Sequence, residues 1–174
     1  MRAGGGTVLA MEPYDRTAAS ISAAATRIKA KGGFGALLIA DSGSLSARAA
    51  TAYRAGGGTT SVRLLGTELW SGEKELAASP SLNGAWFSTV SDARFGQFSK
   101  SYRARFGVQP FRIATLGYDA VLLTLRVARD WKQGAAFPTA AMFAQDGFLG
   151  VDGAFRFNRS GLIERALEVR TVSA

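Results

Sequence analysis

The stretch ALLIADSGSLSARAATAYRAGGGTTSVRLLGTELW, residues 36–70, decides the fold. It opens on a continuous apolar run, residues 36–40, which reads as a strand buried on both faces. Asp41-Ser42-Gly43-Ser44 follows, made of the residue types that turn a chain and start a helix. Residues 45–54 carry a helical pattern that Gly56-Gly57-Gly58 stops. Residues 62–66 read as the next strand, and Thr67-Glu68-Leu69-Trp70 leaves its end. Strand, helix and strand in this order predict an α/β fold with a mostly parallel sheet flanked by helices.

Upstream, residues 7–11 (Thr-Val-Leu-Ala-Met) read as a short buried strand that Glu12-Pro13-Tyr14-Asp15 ends. Residues 17–31 form an Ala-rich helix with Ile21, Ala24, Ala25 and Ile28 at helical spacing. Asp15 or Thr17 serves as its N-cap, and Gly32-Gly33 stops it. Residues 2–7 (Arg-Ala-Gly-Gly-Gly-Thr) recur as residues 54–59. The second copy closes a helix, so by analogy residues 1–4 are the tail of one, and the chain is expected to be the C-terminal piece of a larger protein.

Downstream, residues 73–78 read as a short helix, 80–84 as a turn and 85–90 as a strand. Phe95, Phe98, Tyr102 and Phe106 fall three and four apart, one face of a helix over 93–106 that Gly107 caps. The longest helix is expected over 113–131, with Ile113, Leu116, Ala120, Val121, Thr124, Val127, Ala128 and Trp131 in phase. A short helix follows over 139–145. Residues 154–158 and 166–172 read as a closing antiparallel hairpin. The expected division is a subdomain over 1–110 and a returning helical segment with its hairpin over 111–174.

Composition removes several chemistries. The chain has 174 residues without Cys or His. Disulfides, iron–sulfur clusters, thiolate zinc and Ser-His-Asp catalysis are therefore excluded. The net charge is +8. Its cations are scattered singly, and no RNP, zinc-finger or helix-turn-helix signature is present, so no nucleic-acid partner is expected. A basic surface of this kind fits an acidic partner or an anionic membrane equally well. No apolar run approaches the roughly 20 residues of a membrane span, and the first residues are not a secretory leader.

Neither a dinucleotide fingerprint nor a P-loop occurs. Ser71-Gly72-Glu73-Lys74 formally matches S-x-x-K, but no S-D-N or K-T-G accompanies it. No cofactor, metal or catalytic residue is expected, and the chain does not read as an enzyme. Open α/β sheets hold ligands beyond the carboxyl ends of their strands. Those ends are Asp41, Ser42 and Ser44, then Glu68 and Trp70, and less clearly residues 12–15. Asp41 and Glu68 can converge there, either for acid–base work or to hold a ligand ammonium group.

Four motifs in order carry a resemblance. They are Gly66-Thr67-Glu68-Leu69-Trp70; the pattern F-x-x-x-Y-x-x-x-F-G closing at Gly107; Tyr118-Asp119-Ala120-Val121; and residues 148–161, FLGVDGAFRFNRSG. Together they resemble the C-terminal half of a type I periplasmic binding protein, the branched-chain amino-acid-binding branch first. The wording is also similar to members described as penicillin-binding protein activators. The resemblance implies one lobe of a two-lobed periplasmic clamp, with the helix over 113–131 returning to the other lobe. It implies a small polar ligand such as an amino acid, with Glu68 on its ammonium group and Asp41, Ser42, Ser44, Trp70 and Tyr118 beside it. The partner would be an ABC transporter permease, or a peptidoglycan synthase for the activator type. Apolar positions over 113–131 and 137–148 should repack onto the sheet or be buried by a second copy, as a homodimer.

Overall fold

Thr17 starts the first helix, α1 (Ala18–Lys31), by accepting the Ser20 N–H on its hydroxyl at 3.3 Å. Asp15 in turn accepts the Thr17 N–H and hydroxyl at 2.8 and 2.5 Å, and these bonds hold its carboxyl below the usual range. The structure is a computed structural model in which residues 5–173 are described. The remaining elements are β1 (Ala36–Ile39), α2 (Gly43–Ala55), β2 (Arg63–Gly66), β3 (Trp86–Thr89), α3 (Phe95–Phe106), α4 (Ala114–Ala128), β4 (Phe148–Gly150), β5 (Gly153–Phe157), β6 (Ile163–Arg165) and β7 (Glu168–Thr171). The chain divides into two compact units. One runs through Thr89 and is rejoined from Val169 onward; the other is Val90–Glu168.

The first unit holds a four-stranded sheet in the order β1-β2-β3-β7. β1 pairs with β2, and β2 with β3, in parallel. The predicted α/β class therefore stands. β1 is the edge strand, and its burial alternates rather than being complete. Leu37 and Ile39 face the core, while Ala36 and Leu38 are exposed. An edge strand covered on one face shows period-two burial, which the apolar run of residues 36–40 concealed.

Helix α2 presents Ser46, Ala50 and Tyr53 to the core at spacings of four and three. Around them pack Val62 just before β2 and Leu64 within it, then Trp70, Leu76, Leu82, Ala85 and Val172. Gly66 is required beneath Trp70, because a Cβ there would fall 2.2 Å from the indole. Gly56 and Gly57 stop α2 as expected, with Gly57 at φ 83°.

Several expectations change. Residues 7–11 form no strand. The residues that follow are tied to α1: Arg27 Nε meets Glu12 at 2.7 Å, and its Nη2 donates to the Pro13 carbonyl at 3.2 Å. The expected helix tail at residues 1–4 lies outside the described residues. Residues 73–78 form turns with i to i+3 bonds from Leu76 to Glu73 and Ser79 to Leu76 where a helix was expected, while the short helix expected over 139–145 is present as a 3₁₀ helix, Thr139–Phe143. The closing hairpin is made by β5 with β6, flanked by β4, and the last strand, β7, borders β3 in the other sheet.

The second unit folds around Leu123 and Val127 of α4 with Phe148 and Phe155 of the β4-β5-β6 sheet. The buried stripe of α4 is Thr115, Asp119, Leu123 and Val127. This is a different phase from the apolar one predicted, because buried hydrogen bonds decide it. Asp119 accepts the Val151 N–H at 2.8 Å, and the Thr115 hydroxyl donates to Asp152 at 2.5 Å. Arg112 adds an ion pair to Asp152 at 3.0 Å and another to Asp92. Ile113, Leu116, Val121, Leu122 and Leu125 are left exposed.

Gly66→Ala is expected to destabilise the chain by about 1–3 kcal/mol through overpacking against Trp70. Urea denaturation measures it, and an unchanged midpoint would mean that the ring does not lie against this strand.

Candidate functional site

Parallel register places two acids at one edge. Ile39 pairs with Gly66, so β1 and β2 end side by side. Asp41 and Glu68 each stand two residues beyond those ends. The β1 end is the more organised. Asp41 accepts the Ser42 N–H on Oδ1 at 2.8 Å, and its carbonyl accepts the Ser46 hydroxyl at 3.2 Å. The Tyr14 phenol, from the segment before α1, hydrogen-bonds the Asp41 carboxylate. Partial burial first, then the Asp41 charge and that bond, push Tyr14 up to about 12 from its ordinary 10.0.

Ser42 and Ser44 bring their hydroxyls to 3.4 Å from one another at the start of α2. The Ser42 side chain makes no capping bond. Glu73 caps the helix instead, accepting the Ser44 N–H at 3.2 Å. Its carboxylate sits against Gly43, where a Cβ would come 2.6 Å from Oε2. A helix N-terminus attracts anions. Here the chain's own acid fills that position.

Glu68 opens a 3₁₀ turn, Glu68–Trp70, that Thr67 caps by accepting the Leu69 N–H. Its side chain is exposed, and its carboxylate takes no hydrogen bond or ion pair from the described residues. Trp70, expected to line the site, is fully buried. Its ring lies 6.0 Å from Phe87, and its Nε1 donates to Ser46 at 2.9 Å. An indole enclosed on all sides cannot touch a ligand; its role is to fix the turn that carries Glu68. Tyr118 belongs to the second unit and packs on Phe98 at 5.1 Å.

The structure thus gathers Asp41, Ser42 and Ser44 and sets Glu68 on the adjacent strand end. Tyr14 and Glu73 join them without having been singled out. Tyr14 had a signal, an aromatic within residues 12–15, already marked as a strand end. Glu73 had none, because it reaches α2 from 29 residues away in sequence. Among the described residues, no three acids come close enough to hold a metal ion.

The sequence profile of the periplasmic binding proteins matches residues 1–172. This chain belongs to that family. Solved structures share the fold. The leucine-binding protein LivK of Thermotoga maritima superposes with a TM-score of 0.59 at 19% identity, over 91% of this chain and 46% of that one. An extracellular ligand-binding receptor of Desulfohalobium retbaense gives 0.60 at 26% identity, over 88% and 27%. The C-domain of LpoA from Haemophilus influenzae, a regulator of PBP1A, gives 0.56 at 16% identity, over 87% and 47%. The chain therefore spans half or less of the length of each. No curated protein matches it significantly. What this chain shares with those structures is the α/β fold.

Tyr14 is expected to ionise near pH 12 in the native chain, followed by ultraviolet absorbance against Tyr14→Phe. The folded value lies above the unfolded one, so the stabilisation is complete below about pH 10 and lost as pH climbs toward 12. Asp41→Asn should bring the titration down. A native Tyr14 that titrates near 10 would place the phenol away from Asp41.

Proposed function

We propose that the chain is the ligand-facing second lobe of a two-lobed periplasmic solute-binding protein, without catalytic activity. The observation that carries this is the shared edge at which β1 and β2 end, with Asp41 and Glu68 on neighbouring strands. Asp41, Ser42, Ser44 and Glu68 form the lip, with Tyr14 orienting Asp41 and Trp70 supporting Glu68 from beneath. Tyr118 is left out of it.

The charge of the lip points to the ligand's cationic end. Glu73 neutralises the α2 N-terminus, so nothing at that position favours an anion. Asp41 and Glu68 favour an ammonium group, with the hydroxyls of Ser42 and Ser44 as further acceptors. The ligand class is then an amino acid or a similar small polar amine, and its carboxylate would be gripped by another lobe. Delivery to an ABC transporter permease follows from that role.

A second reading has one observation in its favour. Glu68 is exposed and pairs with none of the described residues, as a docking surface allows. In that reading the chain is an activator-type module on a peptidoglycan synthase and needs no small ligand. The exposed apolar row of α4 fits either a missing lobe or a second copy of the chain. A homodimer would appear in sedimentation as a concentration-dependent species, and strictly monomeric behaviour would remove it.

Amide NMR titration with the twenty amino acids separates the two readings. One lobe should bind in the millimolar range, since half the contacts and the closure that excludes water are missing. Shifts confined to residues 41–44 and 67–70, lost in Glu68→Gln, are the expected result. A flat response up to saturation would sink the ligand reading in favour of docking.

A further inference from the structure

Between Ala93 and Tyr118 the sequence contains five cations and no acid. Arg112 is engaged with Asp92 and Asp152. The other four, Arg94, Lys100, Arg103 and Arg105, make no ion pair with the described residues. All four lie on or beside α3, which buries none of its residues. Along α3 the rings of Phe95, Phe98, Tyr102 and Phe106 touch in series at 6.2, 5.9 and 4.5 Å. Arg103 and Arg105 are two residues apart, about 200° around a helix, and so flank this aromatic stripe on opposite sides. At the end of the helix Phe106 is 56% exposed, and past it Val108 is 60% and Phe111 85% exposed. A shallow groove between Lys100, Arg103, Ser99 and Gln109 runs along the same helix.

We infer that α3 and the loop through Phe111 form a docking patch for the surface of a membrane rich in anionic phospholipids. Charge complementarity selects this occupant. The patch is purely cationic, with no acid between Ala93 and Tyr118. Its apolar part consists of exposed tips, Phe106, Val108 and Phe111, none of which lines the groove beside α3. Tips of this kind enter the headgroup–acyl boundary to a depth of roughly 5–10 Å, while flanking arginines reach headgroup phosphates. No helix among the described residues is long and apolar enough to cross a membrane, so the contact is peripheral. The patch lies wholly within the second unit, and the inference does not depend on the ligand reading of the first.

The test is co-sedimentation of the full chain with vesicles of phosphatidylcholine alone, or with phosphatidylglycerol as a third of the lipid. Binding is expected only to the anionic vesicles and should weaken with added salt. Arg103→Gln with Arg105→Gln should lower the partition coefficient by about 10–30-fold, at roughly fivefold per cation near an anionic surface. Arg16→Gln with Arg48→Gln removes the same charge at exposed positions outside the patch and should leave most of the binding intact. Phe111→Ser, at a site too exposed to matter for folding, should lower binding severalfold at unchanged net charge. Circular dichroism checks that each variant folds. Equal losses in the two double variants would reduce the effect to net charge and overturn the proposal. So would equal binding to neutral vesicles, no binding to anionic ones, or a Phe111→Ser variant that binds like the parent.

Discussion

Trp70 ties the candidate site to the core. Its ring occupies the space over Gly66 that any side chain there would fill, and its Nε1 donates to Ser46 in the first turn of α2. Ser46 passes the connection on, donating to the Asp41 carbonyl at the end of β1. Tyr14 closes the series on the Asp41 carboxylate. One buried indole thus fixes the turn carrying Glu68 and, through a hydroxyl, the turn carrying Asp41. Buried polar groups are retained only when paired, so each member holds the next in place. The lip is set by hydrogen bonds that begin in the core and end at the surface.

The second unit is organised by the same rule with different residues. Thr115 and Asp119 sit where an apolar helix stripe would be expected; Thr115 donates to Asp152, and Asp119 accepts the Val151 N–H on Oδ1 while its buried Oδ2 takes no hydrogen bond from the described residues. Gly150 lies so close to the Asp119 carboxylate that a Cβ would come within 2.1 Å. Arg112 balances Asp152 and stacks at 4.2 Å on Phe95. The network selects which side of α4 is buried, and so leaves Leu116, Val121, Leu122 and Leu125 facing outward. Removing one partner from such a group leaves a buried charge uncompensated, which makes the arrangement specific.

Charge is divided by location. The lip collects Asp41, Glu68 and Glu73 in a chain of net +8, while α3 collects cations without a single acid. The strand-end edge thus carries three acids, while the run from Arg94 to Arg112 carries five of the chain's 21 cations and no acid.

The sequence alone determined the α/β class, the order of β1, α2 and β2, the helix starting at Thr17 and the aromatic stripe of α3. These depend on local periodicity and capping, which a sequence displays directly. It also placed Asp41, Ser42, Ser44 and Glu68 at strand ends, because parallel strands deliver their carboxyl ends to one edge. Tertiary structure decided the rest. Trp70 became core rather than lip because Gly66 leaves room for its ring. Residues 7–11 stayed outside the sheet, and Glu12 and Pro13 after them are tied to α1. α4 turned a polar stripe inward because Asp119 and Asp152 find partners far along the chain. The last strand left its hairpin for the other sheet, and Glu73 came to α2 from across the unit. In each case long-range contacts overrode a local pattern, and pairings of that kind leave no periodic trace in sequence.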